Sequence, residues 1–274
     1  MTDEITEILS GLESGQIIPY LGPGIWAGKT PAHPATHIDL VTKLTERASV
    51  PFKIRKNLSA AAQYIENFKH RKTLAAQMNA AFVDKGSPDD LHNWLASLHR
   101  LPMIVDAWYD DAMQQALAGN PSWGQVQGVS QAEHHGEWVR YYDASSEQTD
   151  ADAAQNWQTL LYRPLGSSSP AQNYIVSDSD YVEILTEIDI QTPIPEIVQQ
   201  RRKDRNFLFL GCRFANQLDR IFARQIIKRS SNKHWALIEG ELTKNEKRFL
   251  DELDITRLDM PLQALLDGAI AQAA

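Results

Sequence analysis

Two glycines that directly follow a short apolar run form the segment of this chain best suited to approach a ligand. Residues 17–21 are almost wholly apolar, as in a buried parallel strand. Gly22 and Gly24 follow, and they allow the backbone to turn sharply and to come close to a bound group. A strand that ends in a Gly-x-Gly turn is the usual place for a nucleotide phosphate in a doubly wound α/β fold. An ordinary strand-to-loop turn is the alternative interpretation.

Two nucleotide-binding patterns overlap at this turn. Residues 22–27 fit the Gly-x-Gly-x-x-Gly/Ala fingerprint of dinucleotide sites, which is a weak signal by itself. Residues 28–30 read Gly-Lys-Thr and suggest a phosphate-binding P-loop. That motif requires a glycine where this chain has Pro23, and a helix that Pro31 and Pro34 prevent. The sequence therefore favours the dinucleotide pattern over the P-loop.

Three acids group at the end of a second apolar run. Asp106, Asp110 and Asp111 are close enough in sequence for mutual repulsion to raise the pKa of one carboxylate and make it a base. The alternative is that they cap the helix that follows and interact with its dipole. We expect Asp110 to be the acid that faces a ligand.

A third strand pattern, residues 206–210, ends at Gly211, Cys212 and Arg213. A thiol at a strand end can be stabilised as a thiolate, although a lone cysteine is more often a small buried residue. Arg213 is the best candidate for a phosphate contact, because guanidinium groups bind phosphates with two parallel hydrogen bonds.

Histidines and further basic residues suggest sites less strongly. His33 and His37 lie four residues apart, and His134 and His135 are adjacent, but no further ligands occur at zinc-site spacing. We therefore predict no metal site. The basic residues at 201–205 and at 220, 224 and 228 indicate a solvated helix face, or a surface that binds an acidic partner or an anionic nucleotide.

Composition narrows the classes of function. The chain has 274 residues, of which 43% are apolar and 23% are charged, as in ordinary folded proteins. The net charge of −8 disfavours unaided binding to nucleic acid. No apolar run is long enough to span a membrane, and the N-terminal residues do not resemble a secretory signal. A single cysteine fits a reducing cytoplasm, so we predict a cytoplasmic protein with no membrane partner.

Helical and strand patterns alternate along the chain and position these residues. Helices are predicted at 3–14, 36–48, 58–68, 72–83, 89–98, 108–117, 179–189, 216–228, 243–251 and 261–271. Strands are predicted at 17–21, 103–107, 206–210, 234–238 and 254–258, and residues 193–195 at a linker. The alternation predicts an α/β fold, a doubly wound Rossmann-like parallel sheet with a helical insertion. We expect one domain over residues 1–274, with a helical subregion at about 50–100 and an excursion rich in strands and turns at about 121–172.

Three separated segments together resemble the sirtuin-like family, in a divergent prokaryotic branch that includes NAD-cleaving proteins. Residues 18–25 resemble the Gly-Ala-Gly-x-Ser loop of that family, and residues 104–110 resemble its Thr-Thr-Asn-Tyr-Asp strand end. Residues 207–214 resemble the late strand whose end contacts the nucleotide. Residues 161–166 fall where such domains carry a His-Gly pair, and an Asp-Tyr pair follows at 180–181. The resemblance implies a cofactor site, for NAD or ADP-ribose, formed by Gly22, Pro23, Gly24, Ile25, Trp108, Tyr109, Asp110, Gly211, Cys212 and Arg213.

Departures from the family pattern imply that its chemistry is lost. Trp108 occupies the position of the asparagine that orients the nicotinamide ribose and a water, and Leu165 that of the general-base histidine. An indole offers one N–H donor and no acceptor, and a leucine cannot move a proton. Pro23 also removes a backbone N–H from the phosphate loop, and Ile25 lacks the serine hydroxyl.

The resemblance and these departures together imply a sirtuin-like binding or regulatory protein that is not an active enzyme and that works through a protein partner. Sirtuin-like chains of this sort occur in nitrogen-fixing bacteria, which suggests a nitrogenase component as one such partner. The alternative is an active NAD glycohydrolase with a relocated base, either Asp110 or a histidine of residues 133–135. A dehydrogenase is a third interpretation, but the chain lacks a clear acidic residue for the ribose at the end of a second strand.

Overall fold

The computed structural model describes residues 3–84, 86–187 and 194–273. The helices are α1 (Asp3–Ser14), α2 (His37–Thr45), α3 (Leu58–Lys69), α4 (Arg71–Ala81), α5 (Asp90–Ser97), α6 (Ala112–Leu117), α7 (Ala151–Ala154), α8 (Asp178–Glu187), α9 (Glu196–Arg202), α10 (Gln217–Ile227), α11 (Lys244–Glu252) and α12 (Leu262–Ala273). The strands are β1 (Ile17–Leu21), β2 (Met103–Asp106), β3 (Trp123–Gly128), β4 (Val139–Asp143), β5 (Gln148–Thr149), β6 (Thr159–Arg163), β7 (Gly166–Ser167), β8 (Asn173–Tyr174), β9 (Asn206–Leu210), β10 (His234–Leu237) and β11 (Ile255–Leu258).

A nine-stranded sheet with helices on both sides forms the centre of the molecule. Its order is β11-β10-β9-β1-β2-β6-β3-β4-β5, and all pairings from β11 to β3 are parallel. The strands β4 and β5 extend one edge with antiparallel pairings. Strands such as β1 and β2 are buried along their whole length, as expected where helices cover both faces of a parallel sheet. The predicted fold class, a Rossmann-like parallel sheet with flanking helices, is confirmed.

The predicted helical subregion is a group of short helices, each begun by a local signal in the sequence. The Thr36 side chain accepts the backbone N–H of Asp39 at the start of α2, and the Asn57 side chain does the same for Ala60 in α3. Asp89 and His92 form a reciprocal capping box at the start of α5. The apolar stripes of these helices pack into the common core, which contains Leu40, Leu44, Ile65, Leu74 and Leu91, among others.

Two helix boundaries differ from the prediction. The helix predicted from residue 108 begins only at Ala112, because the Asp110 carboxylate accepts the Ala112 N–H at 2.9 Å and holds the preceding residues in a turn. The helix α9 was not predicted, since residues 193–195 read as a linker. Pro195 instead stands immediately before Glu196, a position where proline is compatible with helix initiation. Part of that linker and the end of the helix predicted at 179–189 lie outside the described residues.

The region 121–172 contributes to the main sheet. Its strands β3 and β6 pair in parallel with each other, and β6 pairs with β2. The loop after β6 forms the small two-stranded sheet of β7 and β8. Among the described residues, no helix combines the length and the apolar character that crossing a membrane requires.

Candidate functional site

Two adjoining clefts lie at the carboxyl ends of the central strands. The chain leaves β1 toward β2 on one side of the sheet and reaches β9 and β10 on the other, so β1 and β9 form a topological switch point. Cleft A has a volume of about 270 Å³ and cleft B about 450 Å³. Cleft A is lined by Tyr20, Gly22, Pro23, Gly24, Thr36, His37, Ile38, Ala107, Leu165, Tyr181, Gly211, Cys212, Arg213, Phe214, Asp219 and Phe222. Cleft B is lined by Gly24, Ile25, Ala27, Lys29, Gly211, Cys212, Arg213, Leu237, Ile238, Glu239, Met260, Pro261, Leu262, Gln263 and Leu266.

The glycine turn packs directly against the loop that follows β9. The Gly22 N–H donates to the carbonyl of Leu210 at 2.9 Å, and the Gly24 N–H donates to that of Gly211 at 2.8 Å. A Cβ added at Gly24 would lie 2.6 Å from the Gly211 oxygen, and one added at Gly211 would lie 2.2 Å from the Ile25 nitrogen. The glycines are thus required for contact between the two loops, and the N–H groups of Gly22 and Gly24 are already engaged.

The structure brings together seven of the ten residues predicted to bind a cofactor. Gly22, Pro23, Gly24, Gly211, Cys212 and Arg213 line cleft A, and Ile25 lines cleft B. The other three, Trp108, Tyr109 and Asp110, line neither cleft.

Trp108 and Tyr109 belong to the core behind cleft A. The Trp108 side chain is fully buried, and its indole N–H donates to the Pro34 carbonyl at 3.0 Å. Its ring contacts those of His37 and Tyr109, with centroids 5.2 and 5.1 Å away. The Tyr109 hydroxyl donates to the Ile175 carbonyl at 2.8 Å, and burial raises its pKa. Both aromatic residues therefore support the cleft wall from inside.

The acidic cluster at the end of β2 is a buried structural network. Asp110 accepts the indole N–H of Trp26 at 3.1 Å as well as the Ala112 N–H. Burial raises the pKa of Asp106, and the fully buried Arg163 guanidinium, 3.3 Å from its carboxylate, opposes that shift. Arg163 also donates to the Trp108 carbonyl at 2.9 Å and so fixes the residues after β2. Of the two predicted roles, helix capping describes Asp110, and these acids line neither cleft.

Arg213 and Cys212 stand at the junction of the two clefts. Arg213 binds Glu246 through two hydrogen bonds, of 2.7 and 3.0 Å, and also donates to the Glu241 carbonyl at 2.9 Å. Glu246 is fully buried and belongs to a capping box at the start of α11, so this pair anchors the loop after β9. The Cys212 thiol is buried, and burial raises its pKa, which disfavours a thiolate.

Leu165 lines cleft A with 6% of its surface exposed, so an apolar side chain occupies the wall at the end of β6. The titratable side chains on the cleft A walls that the sequence analysis did not assign to it are His37 and Asp219. Burial raises the pKa of Asp219, while the nearby His37 and Arg220 oppose the shift. Both residues lie in the first turn of a helix that follows a loop at the carboxyl side of the sheet. That position was the available signal.

The remaining candidate residues have structural partners away from the clefts. His33 packs on Trp26 and Phe82, and Arg140 pairs with His134 at 2.9 Å. Arg201 donates to the carbonyls of Pro102, Trp157 and Gln158, so the basic run before β9 ties loops together. Within the part of the chain that the structure describes, no three His, Cys, Asp or Glu residues are grouped so as to hold a metal ion.

Comparisons with known proteins identify the family. The family model for the SIR2-like domain matches residues 102–258, which is more than half of the chain. The chain is similar to a solved structure described as "Structural Basis for the Mechanism and Regulation of Sir2 Enzymes". The two share 15% sequence identity over 99% of this chain and 97% of that chain, with a TM-score of 0.45. No curated protein matches the chain significantly.

The chain therefore belongs to the SIR2-like domain family, as the three sequence segments indicated. Membership suggests a function related to NAD, since SIR2-like domains in general bind that cofactor.

Proposed function

We propose that this SIR2-like domain is a regulatory module that binds NAD or ADP-ribose across clefts A and B without cleaving it. The observation that carries the proposal is Leu165 on the wall of cleft A, at the position that matches the general base of the family. Base catalysis contributes roughly 100- to 10,000-fold to such reactions, and a leucine supplies none of it.

The location and size of the clefts support binding of a dinucleotide. Ligands of open α/β sheets bind outside the carboxyl ends of the strands at the switch point, which is where clefts A and B meet. Gly24, Gly211 and Arg213 line both clefts, so a single extended ligand could pass from one to the other. Cofactor sites typically enclose about 300 to 1,000 Å³, a range that the two clefts reach together.

Titration calorimetry with NAD and with ADP-ribose tests the binding proposal. Ile38 lines cleft A with 59% of its surface exposed, so Ile38→Trp would narrow the entrance without disturbing the core. Val83 is 69% exposed and lines neither cleft, which makes Val83→Trp the matched control. We expect saturable binding of both ligands that Ile38→Trp weakens and Val83→Trp leaves intact. Absence of saturable binding, or equal effects of the two variants, would contradict the proposal.

A second candidate function, NAD hydrolysis, is favoured by one observation. His37 and Asp219 line cleft A, and an imidazole beside a carboxylate is a common arrangement for general-base catalysis. Asp110 and the histidines of residues 133–135, which the sequence suggested for this role, line neither cleft. Release of free nicotinamide that His37→Ala and Asp219→Asn both abolish would favour this candidate over the non-cleaving module.

We also propose that the module works through a protein partner with an acidic surface. Residues 43–72 contain eight Lys or Arg residues and two Glu residues, in a chain of net charge −8. Phe52 and Phe68 are 82% and 65% exposed there. A small hollow of about 240 Å³ lies beside Phe68, formed with Ala48, Ser49, Tyr64, Ile65 and Lys69. Exposed aromatic side chains among basic ones are typical of protein interfaces, and positive charge favours an acidic partner.

Capture of partners from a native extract tests this surface, with a nitrogenase component as one candidate to look for. Lys53 and Lys56 are exposed and have no ion pair with any residue in the described ranges. We expect the double change Lys53→Glu and Lys56→Glu to abolish capture of a specific protein. The control, Lys244→Glu with Lys247→Glu, makes the same charge change on the exposed side of α11 and should retain it. Equal capture by both variants would exclude this surface.

A further inference from the structure

Cleft A contains a carboxylate without a structural partner. Asp219 lies in the first turn of α10, where Asn216 already caps the helix by accepting the Leu218 N–H at 3.0 Å. Its carboxylate receives no hydrogen bond and forms no ion pair with any residue in the ranges 3–84, 86–187 and 194–273. Most of the surrounding cleft is apolar, with Tyr20, Leu165 and Phe222 among its walls.

The environment of Asp219 differs from that of the other acids near the switch point. Asp106 and Asp110 accept backbone N–H groups, and Glu246 is paired with Arg213. Asp219 has only the charges of His37 and Arg220 near it, and burial raises its pKa. Neither His37 nor Arg220 donates a hydrogen bond to it, and the Arg220 guanidinium is occupied by the carbonyls of Phe214 and Ala215.

The unpaired carboxylate determines which ligands can fill the cleft. A ligand that displaces the water on Asp219 must replace the hydrogen bonds of that water, because an unsatisfied buried charge is strongly unfavourable. An anionic group at this point would add repulsion between like charges in an environment of low polarity. A cationic or N–H-donating group would satisfy the carboxylate directly, with a charge-assisted hydrogen bond.

We infer that cleft A selects an aromatic ligand with a cationic or N–H-donating substituent, which binds to Asp219 while its ring packs against Tyr20, Leu165 and Phe222. This inference deepens the proposed function and rests on it in one respect, that cleft A takes a small ligand. It assigns Asp219 as the residue that sets the charge preference at this end of the site. The opposite preference, for an anionic end group, is excluded by the same contacts.

Three aromatic probes of nearly equal shape test the charge preference: benzamidine is a cation, benzamide is a neutral amide and benzoate is an anion. We expect ligand-observed NMR titrations to give binding in the order benzamidine, benzamide, benzoate, with benzamidine at least tenfold tighter than benzoate. Asp219→Asn should weaken benzamidine binding by about ten- to a hundredfold, since hydrogen bonds to charged groups are worth that much. Asp251→Asn is the matched control, because it removes the same charge from an exposed position on α11.

Each outcome decides the inference. Ile38→Trp should reduce benzamidine binding, which locates the probe in cleft A. Equal affinity for benzoate, an unchanged order in Asp219→Asn, or no binding of any probe at millimolar concentration would overturn the assignment of Asp219. The proposed function is tested separately by NAD itself. Saturable NAD binding without a charge preference among the probes contradicts only this inference, and a charge preference without NAD binding contradicts only the proposed function.

Discussion

Replacing Trp108 with asparagine separates a core residue from a cofactor contact. By resemblance, Trp108 occupies the position of an asparagine that contacts the nicotinamide ribose, yet its side chain is fully buried behind cleft A. Trp108→Asn would leave a cavity against Phe82 and Tyr109, place an amide among aromatic rings and remove the hydrogen bond to the Pro34 carbonyl. Substitutions of a buried tryptophan by a small residue lower the free energy of unfolding by about 3–5 kcal/mol, and we expect a value in that range.

Trp108→Phe is the matched control for this prediction. It keeps an aromatic ring against His37 and loses only part of the volume and the indole N–H, so we expect a loss of about 1–2 kcal/mol. Urea unfolding followed by circular dichroism measures both values. Calorimetry on the phenylalanine variant should give the NAD affinity of the unchanged protein. A Trp108→Asn variant of unaltered stability that no longer binds NAD would refute the reasoning, since it would make Trp108 a ligand contact.

Three further predictions concern the cleft and the core. Leu165→His places an imidazole on the wall of cleft A and should raise nicotinamide release from NAD above background, whereas Leu165→Met should leave it at background. Burial lowers the pKa of His234 to about 4, and its Nδ1 accepts the Phe207 N–H at 3.0 Å, which requires a neutral ring. The unfolded chain binds this proton first, so the free energy of unfolding should fall by about 3 kcal/mol as the pH drops from 6.5 to 4, and His234→Gln should remove that part of the urea-measured slope. Cys212 is buried with a raised pKa, so its reaction with a thiol reagent should be at least tenfold slower in the native protein than in urea.

The central sheet was predictable because its strands carry strong local signals. The runs before Gly22 and Gly211 are apolar over their full length and end in glycine, and the structure places β1 and β9 side by side. The helix α9 could not be predicted with the same certainty, since Pro195 marks a linker and a helix start equally well. The start of α6 was misplaced because one side-chain hydrogen bond, from Ala112 to Asp110, decides it.

The composition of the candidate site depended on contacts that no local pattern encodes. His37 and Asp219 are far apart in sequence and meet in cleft A only because β1 and β9 are neighbours in the sheet. Whether Arg213 is available to a phosphate depends on Glu246, which a separate helix brings to it. Leu165 could be matched to the cleft through the family pattern, whereas Trp108, matched in the same way, turns into the core.

Quantifying free nicotinamide after prolonged incubation of the protein with NAD tests the central claim most directly. The same preparation is first shown by calorimetry to bind NAD, and a sample without protein gives the background of spontaneous hydrolysis. With Leu165 on the wall of cleft A, the account predicts saturable binding and no nicotinamide above that background. Nicotinamide release that grows with protein concentration and disappears in His37→Ala would contradict it, and would make the domain an NAD-cleaving enzyme.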